Sequence, residues 1–281
     1  MAEILDGRGL AEKIRLSFKE EIEKMEKKPC LAAVLVGEDP GSKIYVGIKE
    51  RACSEVGILS KTYRLPEETK QEELLNLIDK LNNDENTHGI LVQMPLPNQI
   101  SENIVIEKIS PEKDVDGLHP VNLGKLFQGN PSLLVPCTPK GIMNLLDHYQ
   151  IGVAGKNVVI INRSKLVGRP LYAMMINADA TVTTCHSKTK NLEEETKKAD
   201  ILVTAVGRRP SFTVTKEMIK ENAVVIDVGI NRIEGKLYGD VDFENVKNKA
   251  SYITPVPGGV GPMTVAMLLE NTLIAAKNIT P

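Results

Sequence analysis

What the 281-residue chain is short of narrows its function before any motif is read. It has no excess of positive charge: Lys+Arg 35 stand against Asp+Glu 37, a net charge of −2 with a pI near 6.2. The basic footprint of a general nucleic-acid binder is therefore missing, and no nucleic-acid partner is expected. Cysteine is scarce, and Cys30, Cys53, Cys137 and Cys185 are scattered with no CxxC pair, which argues against a disulfide scaffold or structural zinc. The histidines, His88, His119, His148 and His186, show no HExxH or other metal spacing, so no metal is expected. No GxSxG elbow points to covalent serine hydrolysis. No run approaches the roughly 18 apolar residues of a membrane span, and the opening MAEILDGRGL is charged without an apolar signal core. The expectation is a cytoplasmic protein with reduced thiols and no membrane partner.

What is present can build cores, with 42% hydrophobic and 26% charged residues. At about 150 residues per domain, the length suggests roughly two domains. Short runs rich in Val, Ile and Leu recur at 31–36, 89–92, 158–161, 201–206 and 224–228, separated by amphipathic stretches such as 71–81. Uniformly apolar strands alternating with helices predict an α/β fold with parallel sheets covered on both faces. The domain boundary is expected in 128–138, where Gly129, Pro131 and Pro136 break the pattern. Thr138 and Pro139 then offer an N-cap and first-turn proline for a helix to about His148. A final apolar helix, 263–276, follows a glycine-rich stretch and is long enough to return to the first unit. That divides the chain into 1–138 plus 263–281, and 139–262.

The second part reads as strand, tight loop and helix over 155–171, and a helix N-terminus suits a pyrophosphate. GxGxxG is absent, leaving Asn162, Ser164 and Gly168 as the turn-tolerant residues, Asn being able to enter the left-handed region. The next strand ends in CHSKT, residues 185–189, without the carboxylate that NAD sites place there for the ribose 2′-hydroxyl. Arg163, Ser187 and Lys188 are donors suited to a 2′-phosphate, so NADP is favoured. Ala205 and Gly207, and the turn containing Ile230, lie at strand carboxyl ends, where a flat cofactor approaches a parallel sheet.

In the first part, Ser42 is positioned to cap a helix that carries Tyr45 and Lys49 at i and i+4 on one face. A phenol beside an amine can orient it for proton transfer. Gln93 sits at the carboxyl end of the buried-type strand within 89–97, and Asp116 sits in the turn DVDGL, suited to hydrogen bonding an amino-substituted heterocycle. Each feature alone also fits an ordinary solvated or structural role.

Taken in order, SKIYVGIK (42–49), VQMPLP (92–97), DVDGL (114–118), CTPKG (137–141), RSKLVGRP (163–170), CHSKT (185–189) and PVPGGVGPMT (255–264) resemble the bifunctional methylenetetrahydrofolate dehydrogenase/cyclohydrolase family over nearly the whole chain. The resemblance implies two domains around a cleft, a folate-binding catalytic domain and a Rossmann-like NADP domain, in a homodimer. It implies that 5,10-methylenetetrahydrofolate is oxidised with NADP⁺ to the methenyl form, which is hydrolysed to 10-formyltetrahydrofolate. Carried over by position, Lys49 is the catalytic lysine, Tyr45 its positioning partner, Gln93 the amide that tunes it and Asp116 the pterin-binding carboxylate. Val92, Met94, Pro257 and Gly261 join the substrate site; Asn162, Arg163, Ser164, Gly168, Ser187, Ala205, Gly207, Ile230 and Thr264 join the cofactor site. The family loop has Gly where this chain has Asn162.

Overall fold

The computed structural model describes residues 1–129 and 134–279. Its first elements are β1 (Glu3–Ile4), α1 (Gly7–Glu23), β2 (Cys30–Val36), α2 (Pro40–Val56), β3 (Leu59–Leu65), α3 (Gln71–Asn82) and β4 (Gly89–Val92). There follow α4 (Glu102–Lys108), α5 (Pro120–Phe127), α6 (Cys137–His148), β5 (Asn157–Ile161), α7 (Gly168–Asn177), β6 (Thr181–Cys185) and α8 (Leu192–Thr196). The last are β7 (Ile201–Thr204), β8 (Val224–Asp227), β9 (Asn231–Ile233), β10 (Lys236–Tyr238), α9 (Phe243–Val246), β11 (Tyr252–Ile253) and α10 (Val260–Ile279).

The chain divides into two compact units, 12–137 with 265–281, and 1–11 with 138–264. The first holds a three-stranded parallel sheet in the order β3-β2-β4. All seven residues of β2 are buried, as a central strand covered on both faces requires. On α3, Leu74, Ile78 and Leu81 recur at helical spacing and pack with Val34, Ile90 and Val105 in one core. Each fully buried Leu or Ile contributes about 1.5–3 kcal/mol relative to exposure. The second unit holds a six-stranded parallel sheet in the order β1-β11-β8-β7-β5-β6, with β9 and β10 forming a separate antiparallel hairpin. Val159, Ile161, Leu202 and Val225 anchor its core.

Several sequence expectations change. The opening residues belong with the larger sheet, because β1 pairs in parallel with β11. The N-cap of α2 is Asp39, not Ser42: the Asp39 carboxylate accepts the Ser42 N–H at 2.7 Å, Pro40 takes the first turn, and Ser42 is buried within the helix. Helix α6 begins at Cys137, so Thr138 lies in its first turn, and α10 begins at Val260, ahead of Pro262. Of the expected boundary 128–138, residues 130–133 lie outside the described residues. Among the described residues, no helix is long and apolar enough to cross a membrane.

Candidate active site

In the unit of β2 to β4, the parallel sheet and α2 determine where the candidate side chains stand. Gln93 follows the last residue of β4, and its N–H donates to the Val34 carbonyl at 2.8 Å, so the sheet ladder positions it at the carboxyl edge. Its side-chain Oε1 accepts from Lys49 Nζ at 3.0 Å, while its Nε2 donates to the Met94 carbonyl at 2.7 Å. The second bond orients the amide: with its nitrogen engaged, its oxygen faces the lysine. Lys49 and Gln93 are part-buried, Val92 is buried, and Tyr45 lies one turn before Lys49 on α2 with 39% of its surface exposed.

Asp116 sits in a turn built from the inside. Asp114 Oδ2 accepts the His119 N–H at 2.7 Å and Asn122 Nδ2 at 3.0 Å. Gly117 adopts φ +71, and a Cβ there would meet the Val135 carbonyl carbon at 2.3 Å, so both its conformation and its space demand glycine. Asn271 of α10 donates to the carbonyls of Val115 at 2.8 Å and Val135 at 2.9 Å, clasping the turn from below. Desolvation pushes the Asp116 carboxyl above the usual carboxylate range; the Lys49 charge opposes this and Asp114 reinforces it. Lys49 thus acts on both Gln93 and Asp116. Asn271 was missed in the sequence because it lies on an apolar helix far along the chain. His119 is the N-cap of α5, its Nδ1 accepting the Val121 N–H.

In the second unit the carboxyl ends of β5, β6, β7 and β8 carry the expected cofactor residues. Ile161 and Cys185 pair in register, so Arg163 and Ser187 each stand two residues beyond that pair, both exposed. The His186 N–H donates to Thr189 Oγ1 at 2.8 Å, and the Lys188 N–H to His186 Nδ1 at 3.1 Å, which orders the loop holding Ser187 and Lys188. No carboxylate occurs between 181 and 190. This donor set fits a phosphate-bearing ribose.

The expectation for Asn162 needs correction. It is not among the positive-φ residues; its side chain fills the loop instead. Asn162 Oδ1 accepts the N–H groups of Ser164 at 2.7 Å and Gly168 at 3.0 Å, and its Nδ2 donates to the Ala205 carbonyl at 2.6 Å. Ser164 Oγ takes the Val167 N–H at 3.1 Å. The N–H groups of Ser164, Val167 and Gly168 are thereby used within the loop, leaving α7 to offer an anion its dipole end and the flanking side chains. A Cβ at Gly168 would meet the Asn162 carbonyl oxygen at 2.2 Å, which explains this glycine by close approach. Gly207 (φ +64) turns the chain after β7, and Ile230 is exposed in the turn after β8. Exposed Pro257 precedes Gly258 (φ +115), Gly261 lies in the first turn of α10, and the hydroxyls of Thr264 and Thr138 are 3.0 Å apart. Among the described residues, no cluster of His, Cys, Asp and Glu could hold a metal ion.

A parallel dinucleotide-type sheet in one unit and a lysine, amide and carboxylate gathered in the other define a two-unit α/β enzyme of the nucleotide-dependent class. Residues 5–116 match the catalytic domain of the tetrahydrofolate dehydrogenase/cyclohydrolase family, and residues 136–280 its NAD(P)-binding domain. The bifunctional protein FolD of Halalkalibacterium halodurans is 55% identical over 279 residues, covering 98% of this chain and 99% of that one. The crystal structure of the FolD methylenetetrahydrofolate dehydrogenase/cyclohydrolase of Campylobacter jejuni is 50% identical, covers 99% of each chain and superposes with a TM-score of 0.96. The Trypanosoma brucei enzyme, solved with NADP cofactor and inhibitor, is 38% identical over 99% of this chain and 98% of that one, with a TM-score of 0.93. The chain belongs to the tetrahydrofolate dehydrogenase/cyclohydrolase family.

Proposed function

We propose that this protein oxidises 5,10-methylenetetrahydrofolate to 5,10-methenyltetrahydrofolate with NADP⁺ and hydrolyses the product to 10-formyltetrahydrofolate, a one-carbon donor for purine synthesis. The observation that carries the reading is the 3.0 Å contact between Lys49 and Gln93, with Lys49 also acting on Asp116. The unit of 12–137 with 265–281 takes the folate chemistry, and the unit of 1–11 with 138–264 takes the cofactor.

The carbon that is oxidised lies between two nitrogens, so the cation formed is stabilised by the substrate itself, and the protein chiefly aligns the reactants. When bound, NADP⁺ supplies the hydride acceptor. Arg163, Ser187 and Lys188 would hold its 2′-phosphate, Asn162, Ser164 and Gly168 shape the loop beside its pyrophosphate, and Ala205, Gly207, Ile230 and Thr264 line its remaining length. Hydrolysis needs a proton taken from water as its oxygen bonds to the methenyl carbon, then a proton given to the folate N5 as the carbon–nitrogen bond breaks and the adduct's hydroxyl proton passes to solvent. Lys49, held by Gln93 and flanked by Tyr45, moves both protons as general base and then general acid. Asp116 hydrogen-bonds the amino-substituted end of the pterin, and Val92 and Met94 add folate contacts from the same unit. The active form is a cytoplasmic homodimer; the buried thiols of all four cysteines suit a reducing compartment, and light scattering tests the dimer.

An absorbance assay with methylenetetrahydrofolate and each nicotinamide cofactor tests substrate, reaction and cofactor together. Methenyl product should form faster with NADP⁺ than with NAD⁺ and then decay by hydrolysis. A preference for NAD⁺ would overturn the roles of Arg163 and Ser187, and no turnover with either would overturn the whole reading.

A further inference from the structure

One fully buried carboxylate, Asp240, touches none of the positions assigned to cofactor or folate chemistry except through backbone, yet it organises the cofactor edge. Its Oδ2 accepts Thr204 Oγ1 at 2.9 Å and the Val206 N–H at 2.6 Å. Its Oδ1 accepts the Gly207 N–H at 2.9 Å and Asn231 Nδ2 at 3.2 Å. The backbone N–H groups of Asp240 and Val241 donate in turn to Asp227, at 2.9 and 2.8 Å, and Asp227 also accepts the Gly229 N–H at 2.9 Å. The turn after β7, the turn after β8 and the strand ends beneath them are therefore tied together by two carboxylates. Asn162 extends the tie to the end of β5 through the Ala205 carbonyl. A Cβ at Gly229 would meet Asp240 Oδ1 at 2.3 Å, and one at Gly239 would meet Asp227 Oδ2 at 1.9 Å, so the chain is pressed against both side chains.

Core packing alone does not call for this arrangement. A buried carboxylate carries a desolvation cost that an apolar residue of similar volume avoids, and two together repel. What an apolar residue cannot do is accept the N–H groups of Val206 and Gly207, which lie in the turn between Ala205 and the positive-φ Gly207. We infer that Asp240, supported by Asp227 and Asn231, is a positioning residue that holds the 205–207 and 229–231 turns in the shape the nicotinamide cofactor requires. Burial of the pair agrees with this: Asp227 is pushed up to about 6, first by desolvation and then by Asp240, against the pull of its N–H donors.

This inference rests on the cofactor reading above, and the test separates the two. Asp240→Asn keeps the shape but replaces one acceptor oxygen with an NH₂ group. A backbone N–H faces each oxygen, Val206 at one and Gly207 at the other, so no orientation of the amide satisfies both. With the full-length protein, KM for NADP⁺ should rise about tenfold or more while KM for methylenetetrahydrofolate stays within about twofold. Hydrolysis of authentic methenyltetrahydrofolate, measured without NADP⁺, should also stay within about twofold of wild type. An unchanged KM for NADP⁺ overturns the inference, as does a parallel loss of both activities that follows a fall in thermal midpoint. Should Asp240→Asn fail to fold, Thr204→Val removes a single donor, and a rise of a few-fold in KM for NADP⁺ with hydrolysis intact is expected; no rise overturns it. A wild-type protein that forms no methenyl product with NADP⁺ defeats the cofactor reading itself, whereas an active wild type with an indistinguishable variant defeats only the role of Asp240.

Discussion

At the carboxyl edge of the three-stranded sheet the proposed folate chemistry rests on side chains: an amine from α2, an amide from the end of β4 and a carboxylate from a loop. The corresponding edge of the six-stranded sheet is shaped mainly by backbone. The turns at 162–168, 205–207 and 229–231 are held from behind by Asn162, Asp240 and Asp227. The contrast follows from what each ligand asks. Moving protons requires a titratable group at a defined point, whereas a long dinucleotide needs a surface that lets it approach and a few anion donors along it. Damage to the first edge should therefore remove one reaction step, and damage to the second should act through cofactor affinity.

The largest effect expected is at Lys49. Lys49→Met should lower the cyclohydrolase rate by about 10²–10⁴, the usual span for a lost acid–base group, with folate binding still detectable by fluorescence or calorimetry. Unchanged conversion of methenyl to formyl product would break the assignment.

Next in size is a pH effect at the braced edge. Asp227 titrates near 6 in the folded protein against an ordinary 3.8, so the folded state holds this proton more tightly than the unfolded chain. Its contribution to stability is present at low pH and is lost as pH rises from about 4 to about 6, a change of about 2–3 kcal/mol from this group. Guanidinium melts of wild type and Asp227→Asn across that range should differ in slope, the variant lacking this fall. Parallel slopes would remove the buried, proton-holding carboxylate from the account.

A smaller shift is expected at Arg163, whose guanidinium is exposed. Arg163→Ala should cut the preference for NADP⁺ over NAD⁺, taken as the ratio of kcat/KM values, by about tenfold, the worth of one charge-assisted hydrogen bond. A ratio that does not move would assign phosphate recognition to Ser187 and Lys188 alone.

How far the sequence could be read follows the same division. The buried strands β2, β4, β5, β7 and β8 were legible as apolar runs, and Tyr45, Lys49, Gln93 and Asp116 as side chains at helix, strand-end and turn positions. Strand β3 was not, because it is an edge strand whose exposed Ser60, Lys61 and Arg64 mask the pattern. The short β1 was invisible because its partner, β11, lies nearly the whole chain away. Asn162 was noticed but given the wrong physics: its usefulness lies in its amide, not in its tolerance of positive φ. Asp240 and Asn271 were missed altogether, since an Asp in a loop and an Asn in an apolar helix gain meaning only from the backbone groups that folding brings to them.

The most direct test of the division is hydrolysis of authentic methenyltetrahydrofolate without any nicotinamide cofactor, followed by absorbance for wild type, Lys49→Met and Asp240→Asn in parallel. The account predicts that wild type and Asp240→Asn consume it at rates within about twofold of each other while Lys49→Met falls to near the uncatalysed rate. Full activity in Lys49→Met, or equal loss in Asp240→Asn, would contradict it.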